Sequence, residues 1–261
     1  MRNSHRWTRR YLPAVIRRPL GNLFGNLQQL LWKPFLGFIF DLRGGRFHAN
    51  GCVFEIPKDI TTRSFRSCFL TDAYEIDERR LVSRFVQPDD QVLELGGCLG
   101  IVSCIANKRL GDPTRHLVVE ANPDCLPGLC RNRELNSCAF AVENCAVCDQ
   151  PDITFFPNSA FIVSGTTKEQ SERSVRVTGK SLKQLFETQD SFSVLIMDIE
   201  GSELETLESS METLKRFRLV IIELHDWLIG ADGVARCREI LCQSGFQMAE
   251  QSFITEAWIR K

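Results

Sequence analysis

The order of apolar and polar positions along this chain changes period several times. Short, continuous apolar runs at Val92–Leu95, Leu117–Glu120, Phe140–Val142, Val194–Met197 and Leu219–Leu224 read as buried strands. Between them the apolar positions return every third or fourth residue. Helices are therefore predicted at Tyr74–Val86, where Ile76, Leu81, Val82 and Phe85 share a face, and at Ile101–Leu110, Pro123–Leu135, Leu182–Phe186, Leu204–Phe217 and Val234–Cys242. Ile153–Phe156 and Val175–Val177 form a β-rich insertion, and two short strands end the chain. Strands that are apolar on both faces need helices on both sides, so the fold class is α/β, a doubly wound and mostly parallel sheet.

The first forty residues break this pattern. They are aromatic, punctuated by Pro13, Pro19, Gly21, Gly25, Pro34 and Gly37, and carry seven basic residues and no acidic one, leaving 25 basic against 33 acidic residues in the rest. We divide the chain into a basic, aromatic extension (1–45), a small β-rich segment with Phe47, Val53, Phe54 and Ile56 (46–73), and the main domain (74–261). The acidic body is not a nucleic-acid surface. Lys33 and Pro34 interrupt the apolar stretch Leu30–Phe40, which is far shorter than the roughly 20 residues that span a bilayer. With Trp7, Trp32, Phe35 and Phe38, residues 1–40 suit peripheral contact with an anionic membrane or packing on the domain. Eleven cysteines without a signal-peptide pattern point to a reducing, cytoplasmic setting. Cys98, Cys104, Cys130, Cys138 and Cys145 read as core filler, and the zinc-like spacing of Cys125/Cys130 and Cys145/Cys148 lacks a second clear pair and a nearby histidine. No bound metal is expected.

Three strand ends carry chemistry. Glu94-Leu95-Gly96-Gly97-Cys98-Leu99-Gly100 places an acid, a glycine turn and a helix start in succession, a nucleoside-binding arrangement. Its glycine spacing differs from the dinucleotide fingerprint, and Glu94 suits a cationic methionine group better than a pyrophosphate. Glu120, in Val119-Glu120-Ala121-Asn122-Pro123, can accept two ribose hydroxyls or cap the next helix. Asp198-Ile199-Glu200-Gly201-Ser202-Glu203 delivers carboxylates beyond a buried strand. Strand alternation predicts that Asp198 and Glu200 face opposite sides, and Glu203 reads as a helix-dipole cap.

Together with Glu143-Asn144-Cys145-Ala146-Val147 and Ile222-Glu223-Leu224-His225, these blocks resemble the FkbM family of methyltransferases from about Tyr74 to His225. The resemblance implies a seven-stranded Rossmann-like methyltransferase sheet with an antiparallel last strand. It further implies S-adenosyl-L-methionine as cofactor, contacted at Glu94, Gly96, Gly97, Gly100, Glu120, Asn122 and Asn144, and O-methylation of a glycan, lipid-linked sugar or small metabolite. Two departures stand out. Gly97-Cys98 occupies the place of the family's usual alanine–asparagine, and Ile196 that of a frequent lysine.

Methyl transfer to a hydroxyl needs positioning and a proton acceptor. His225 is the first candidate base, Asp198 the second, and Glu200 the third member of the catalytic set. A divalent metal on Asp198 and Glu200 is the alternative, which the expected opposite facing disfavours. The rival functions are a nucleotide-dependent oxidoreductase and a methyltransferase-like binding module without turnover.

Overall fold

The structure, a computed structural model, describes residues 23–157, 165–166, 174–188 and 191–261; the first 22 residues of the extension, with Trp7, lie outside the described residues. Helix α1 (Leu23–Leu42) leads into an antiparallel hairpin, β1 (Arg46–Ala49) and β2 (Cys52–Glu55), then α2 (Arg63–Leu70) and α3 (Ile76–Phe85). The strand–helix alternation follows: β3 (Val92–Leu95), α4 (Ile101–Asn107), β4 (His116–Val119), α5 (Leu126–Leu135) and β5 (Ala141–Glu143). A small sheet of β6 (Ala146–Val147), β7 (Asp152–Pro157), β8 (Gly165–Thr166) and β9 (Val175–Lys180) interrupts it before α6 (Leu182–Phe186). Then come β10 (Val194–Met197), α7 (Glu203–Ser209), α8 (Met211–Leu214), β11 (Leu219–Glu223), α9 (Asp226–Gln243), β12 (Phe246–Ser252) and β13 (Thr255–Arg260).

Seven strands form the main sheet in the order β12-β13-β11-β10-β3-β4-β5. Strands β3, β4, β5, β10 and β11 are parallel, while β13 runs antiparallel to both its neighbours. This is the doubly wound, seven-stranded arrangement expected, antiparallel strand included. The four residues of β3, β4 and β10 are all buried, which explains why they read as unbroken apolar runs. One core cluster, with Leu81, Val92, Ile105 and Leu129, covers one face of the sheet; a second, with Leu93, Leu195, Leu207 and Ile240, covers the other. Chain order reverses between β3 and β10, whose ends lie side by side with Leu95 paired to Met197. Ligands bind at such a switch point, beyond the carboxyl ends of the strands.

Three elements differ from their expected bounds. The predicted helix Leu204–Phe217 breaks at Ser210 into α7 and α8. Helix α5 begins at Leu126, not Pro123, because Pro127 occupies its first turn. The punctuated extension forms one helix from Leu23 through Pro34, held at its end by burial of Phe40 and by a two-pronged contact from Arg66 to both oxygens of Asp41 (2.7 and 2.8 Å). Gly37 lets it approach α2, since a Cβ there would run into the Arg63 carbonyl. Trp32, Phe35, Phe38 and Leu42 remain exposed on α1.

The hairpin is tied down from the side. Asn136 accepts from the Val53 amide and donates to the Val53 carbonyl (2.9 and 2.8 Å), and Asn132, one turn earlier on α5, does the same for Glu55 (2.8 and 3.2 Å). No helix among the described residues is long and apolar enough to cross a membrane.

Candidate active site

The glycine turn after β3 is built by close approach. Gly96, at φ 95°, leaves no room for a side chain because a Cβ would strike the Asp198 carbonyl, and Gly100 opens α4 at φ 75°. Gly97 is packed under Val118 and Leu129, so the alanine usual at this place would displace Val118 in this chain. Cys98 takes φ 45° and places its Sγ 3.5 Å from the Tyr74 hydroxyl.

Glu120 sits beside this turn, 7% exposed. Its two oxygens accept the amides of Cys98 and Asn122, each at 2.6 Å, and each oxygen keeps a further lone pair. Burial pushes its pKa up to about 7, against the pull of those two amides. Asn144 donates to the carbonyls of Glu120 and Ala121 (2.7 and 3.2 Å), so its amide props the strand end. Asn122 is buried, and its Oδ1 accepts the Asp124 amide at 3.1 Å.

Glu94 has partners within the core. Its carboxylate is 2% exposed and turned beneath the glycine loop, where it accepts from Ser103 Oγ (2.6 Å) and lies 2.9 Å from Nε2 of the fully buried His116. With both oxygens engaged inside the core, the side chain supports the turn from below.

Beyond β10 and β11 a histidine stands among acids. His225, 2% exposed, lies with Nδ1 2.7 Å from Glu203 Oε1, which also accepts the Gly201 amide at 2.9 Å. Its Nε2 points toward Asp198 Oδ1 at 3.4 Å, Glu200 Oε2 at 3.6 Å and Glu223 Oε1 at 3.7 Å, beyond ordinary hydrogen-bond length. Burial works against a charge on His225, yet Glu203, Asp198 and Glu200 carry its pKa up to about 9. Burial likewise pushes Glu200 up to about 7 and Glu75 to about 8, and raises Asp198, Glu78 and Glu223. Asp198 Oδ1 and Glu203 Oε2 are buried without a hydrogen bond.

The structure brings Asp198, Glu200 and His225 together and corrects the opposite facing of the two acids. Strand β10 ends at Met197, and Glu200 adopts φ 45°, which swings its side chain back to the His225 side. Glu203 is more than a helix cap, because it holds the imidazole. Glu75, which precedes α3 at φ 46°, and Glu223 belong to the cluster, Glu78 on α3 adds its charge to it, and none of the three was in the expected site. Only the position of Glu223 at the end of an apolar strand signalled its place; nothing local marks the other two. Among the described residues, the clusters of three or more metal-ligating side chains are Asp198–Glu200–His225 and Glu75–Asp198–Glu223, without a cysteine. No cysteine among the described residues is in a disulfide, and Cys104, Cys125 and Cys145 are buried.

A sulfonium cofactor fits this donor set. Acids crowd the place where a cation would lie, two buried carboxylate oxygens there have no hydrogen bond, and Glu120 offers two spare acceptor positions to vicinal hydroxyls.

Among known proteins, the chain is similar over 154 residues to the hexuronic acid methyltransferase AglP of Haloferax volcanii, at 27% identity, covering 58% of this chain and 62% of that protein. It thus spans less than two thirds of that relative's length. Solved structures of similar shape include an O-methyltransferase described as putative from Klebsiella pneumoniae (12% identity, 71% of this chain and 81% of that one, TM-score 0.47). Another is the fibrillarin of Aeropyrum pernix with natively bound S-adenosyl-L-methionine (12%, 71% and 73%, TM-score 0.42). The family model of the FkbM methyltransferase domain matches residues 94–248, more than half of the chain, and displaces the oxidoreductase reading. A match of that extent places this chain in the FkbM methyltransferase family, and S-adenosyl-L-methionine is its cofactor.

Proposed function

We propose that this enzyme methylates a hydroxyl oxygen on a small molecule or glycan. The observation that carries the reading is the His225–Glu203 pair, an imidazole fixed at Nδ1 by a buried carboxylate so that Nε2 faces the switch point of the sheet. When bound, S-adenosyl-L-methionine supplies an electrophilic methyl group. Glu120 would accept its ribose hydroxyls, the backbone at Gly96, Gly97 and Gly100 would let it come close, and Asn122 and Asn144 would hold the Glu120 loop in shape. Glu94 would act by supporting this loop. With a cation held near Asp198, Glu200 and Glu223, the imidazolium of His225 would be pushed toward its neutral form, and Nε2 would take the acceptor's proton while the methyl group passes from the cofactor's sulfur to the acceptor's oxygen. Asp198 is the second candidate acceptor of that proton, and Glu200, with a pKa near 7, is matched to the same task.

Radiolabelled methyl transfer into hydroxylated glycans and lipid-linked sugars tests the reading. Hexuronic acids, the substrate in the name of the Haloferax volcanii relative, are the first acceptors to try. Tight S-adenosylhomocysteine binding with no label in any acceptor would instead favour a binding module without turnover.

We propose further that α1 rests on an anionic membrane surface. Its exposed Trp32, Phe35, Phe38 and Leu42 follow a helical spacing, and the segment before Asp41 carries seven basic residues and no acid. The division of the chain at residues 45 and 73 is proposed on the same footing.

A further inference from the structure

We propose that Asp198, Glu200 and His225 bind one divalent transition-metal ion, of the kind represented by Mn2+. Three observations support the site. First, one ligand atom from each residue lies within 4.8 Å of the others, with His225 Nε2 at 3.4 Å from Asp198 Oδ1 and 3.6 Å from Glu200 Oε2. A metal bonding at roughly 2.1–2.2 Å separates neighbouring ligand atoms by about 3.0–3.6 Å, so these three need little movement to close on an ion. Second, Asp198 Oδ1 is buried without a hydrogen bond, a costly state that a cation would relieve. Third, the outer support is in place: Glu203 holds Nδ1 of His225 at 2.7 Å, which directs Nε2 at the gap as ligating histidines require.

The surroundings set the charge of the occupant. Glu75 and Glu223 also face this space and form with Asp198 an overlapping set within the same 4.8 Å limit, and the charge of Glu78 acts on Glu223. Against these acids stand His225 itself and Arg79, which acts on Glu75. Two carboxylates and an imidazole suit a first-row divalent metal better than calcium or magnesium, which prefer oxygen ligands throughout. Resting on the O-methyltransferase reading, the ion's task would be to hold the acceptor through its hydroxyl oxygen and lower the pKa of that hydroxyl so that its proton leaves to solvent, a role that replaces the His225 base because Nε2 is then on the ion. Acceptors with a second oxygen beside the reacting hydroxyl, such as vicinal diols or hydroxy acids, would chelate it and are the favoured substrate class.

The test uses the full chain, stripped with a chelator and titrated with Mn2+ at pH 7.5 while free Mn2+ is followed by electron paramagnetic resonance. One ion per chain is expected, with spin-echo modulation from a single imidazole nitrogen. Asp198→Asn and Glu200→Gln should each weaken binding more than tenfold, and Glu203→Gln, acting through the imidazole, about 10–100-fold. Absence of saturable binding below millimolar Mn2+, or bound Mn2+ without the nitrogen signal, overturns the site, and the second readout needs no variant to fold. Methyl transfer that persists in chelator with no bound metal would end the metal's proposed task and leave the methyltransferase reading intact. Metal binding without methyl transfer to any hydroxyl would do the reverse.

Discussion

His225 and Glu203 meet as a buried pair, Nδ1 to Oε1 at 2.7 Å, with Glu203 wholly inaccessible to solvent. A charge-assisted contact of this kind fixes both the tautomer and the direction of the ring. Glu203→Gln keeps the shape and removes the charge that selects the tautomer. Turnover should fall roughly 100-fold or more while S-adenosylhomocysteine affinity stays within about threefold, because the pair acts on the acceptor's proton and not on the nucleoside. Steady-state kinetics beside calorimetry decide it; a matched loss in both would make Glu203 merely structural.

Asp198→Asn should separate stability from turnover. Burial raises the pKa of the wild-type carboxylate, His225 opposes the rise and Glu203 and Glu94 add to it, and Oδ1 lacks a hydrogen bond, so the neutral amide removes a poorly solvated charge from the ligand-free protein. We expect melting to rise by a few degrees, as a gain of about 1 kcal/mol produces in a chain of this size, with turnover at least about 100-fold lower. A lower melting temperature with activity tracking the folded fraction would contradict this.

Cofactor affinity should depend on pH through Glu120. Its pKa is raised to about 7, so the ligand-free protein holds this proton more tightly than the unfolded chain, and stability falls as pH rises from the ordinary glutamate range through 7. Ribose hydroxyls favour the ionised form, so binding runs the other way. Affinity for S-adenosylhomocysteine should weaken about tenfold between pH 8 and pH 6, and Glu120→Gln should bind weakly with no such slope. Calorimetric titrations at several pH values show whether the slope belongs to this residue.

The α1 surface yields a simpler expectation. Replacing Trp32, Phe35 and Phe38 together by serine, all exposed in the structure, should reduce sedimentation with anionic vesicles several-fold without altering cofactor binding. Equal vesicle binding by the variant and the parent chain would leave α1 without this role.

Elements whose physics is local were legible in the sequence. Val92–Leu95 and Val194–Met197 announce buried parallel strands because every one of their side chains is inside, and the acids just beyond such strands have few structural excuses. What escaped depends on backbone turns or distant partners. Glu200 joins His225 only because its own φ is positive, which no spacing rule reveals in a residue other than glycine. The contacts of Glu94 with Ser103 and His116 carry no local signal either, because those partners lie on other elements. Glu75 and Glu78 act on the cluster from the start and first turn of α3, a helix that presents itself in the sequence as an ordinary amphipathic one.

The two asparagines of α5 have a meaning for how the chain assembles. By accepting from and donating to Val53 and Glu55 one helical turn apart, Asn132 and Asn136 imitate the hydrogen-bonding edge of a neighbouring β-strand. The open edge of the hairpin, which would otherwise recruit a strand from another molecule, is thereby sealed by a helix. A seal of this sort exists only after α5 has formed and docked. The amides of Val53 and Glu55 are then shielded from solvent exchange by a part of the chain far away in sequence, and the hairpin acquires its order from the main sheet's helices and not from its own turn.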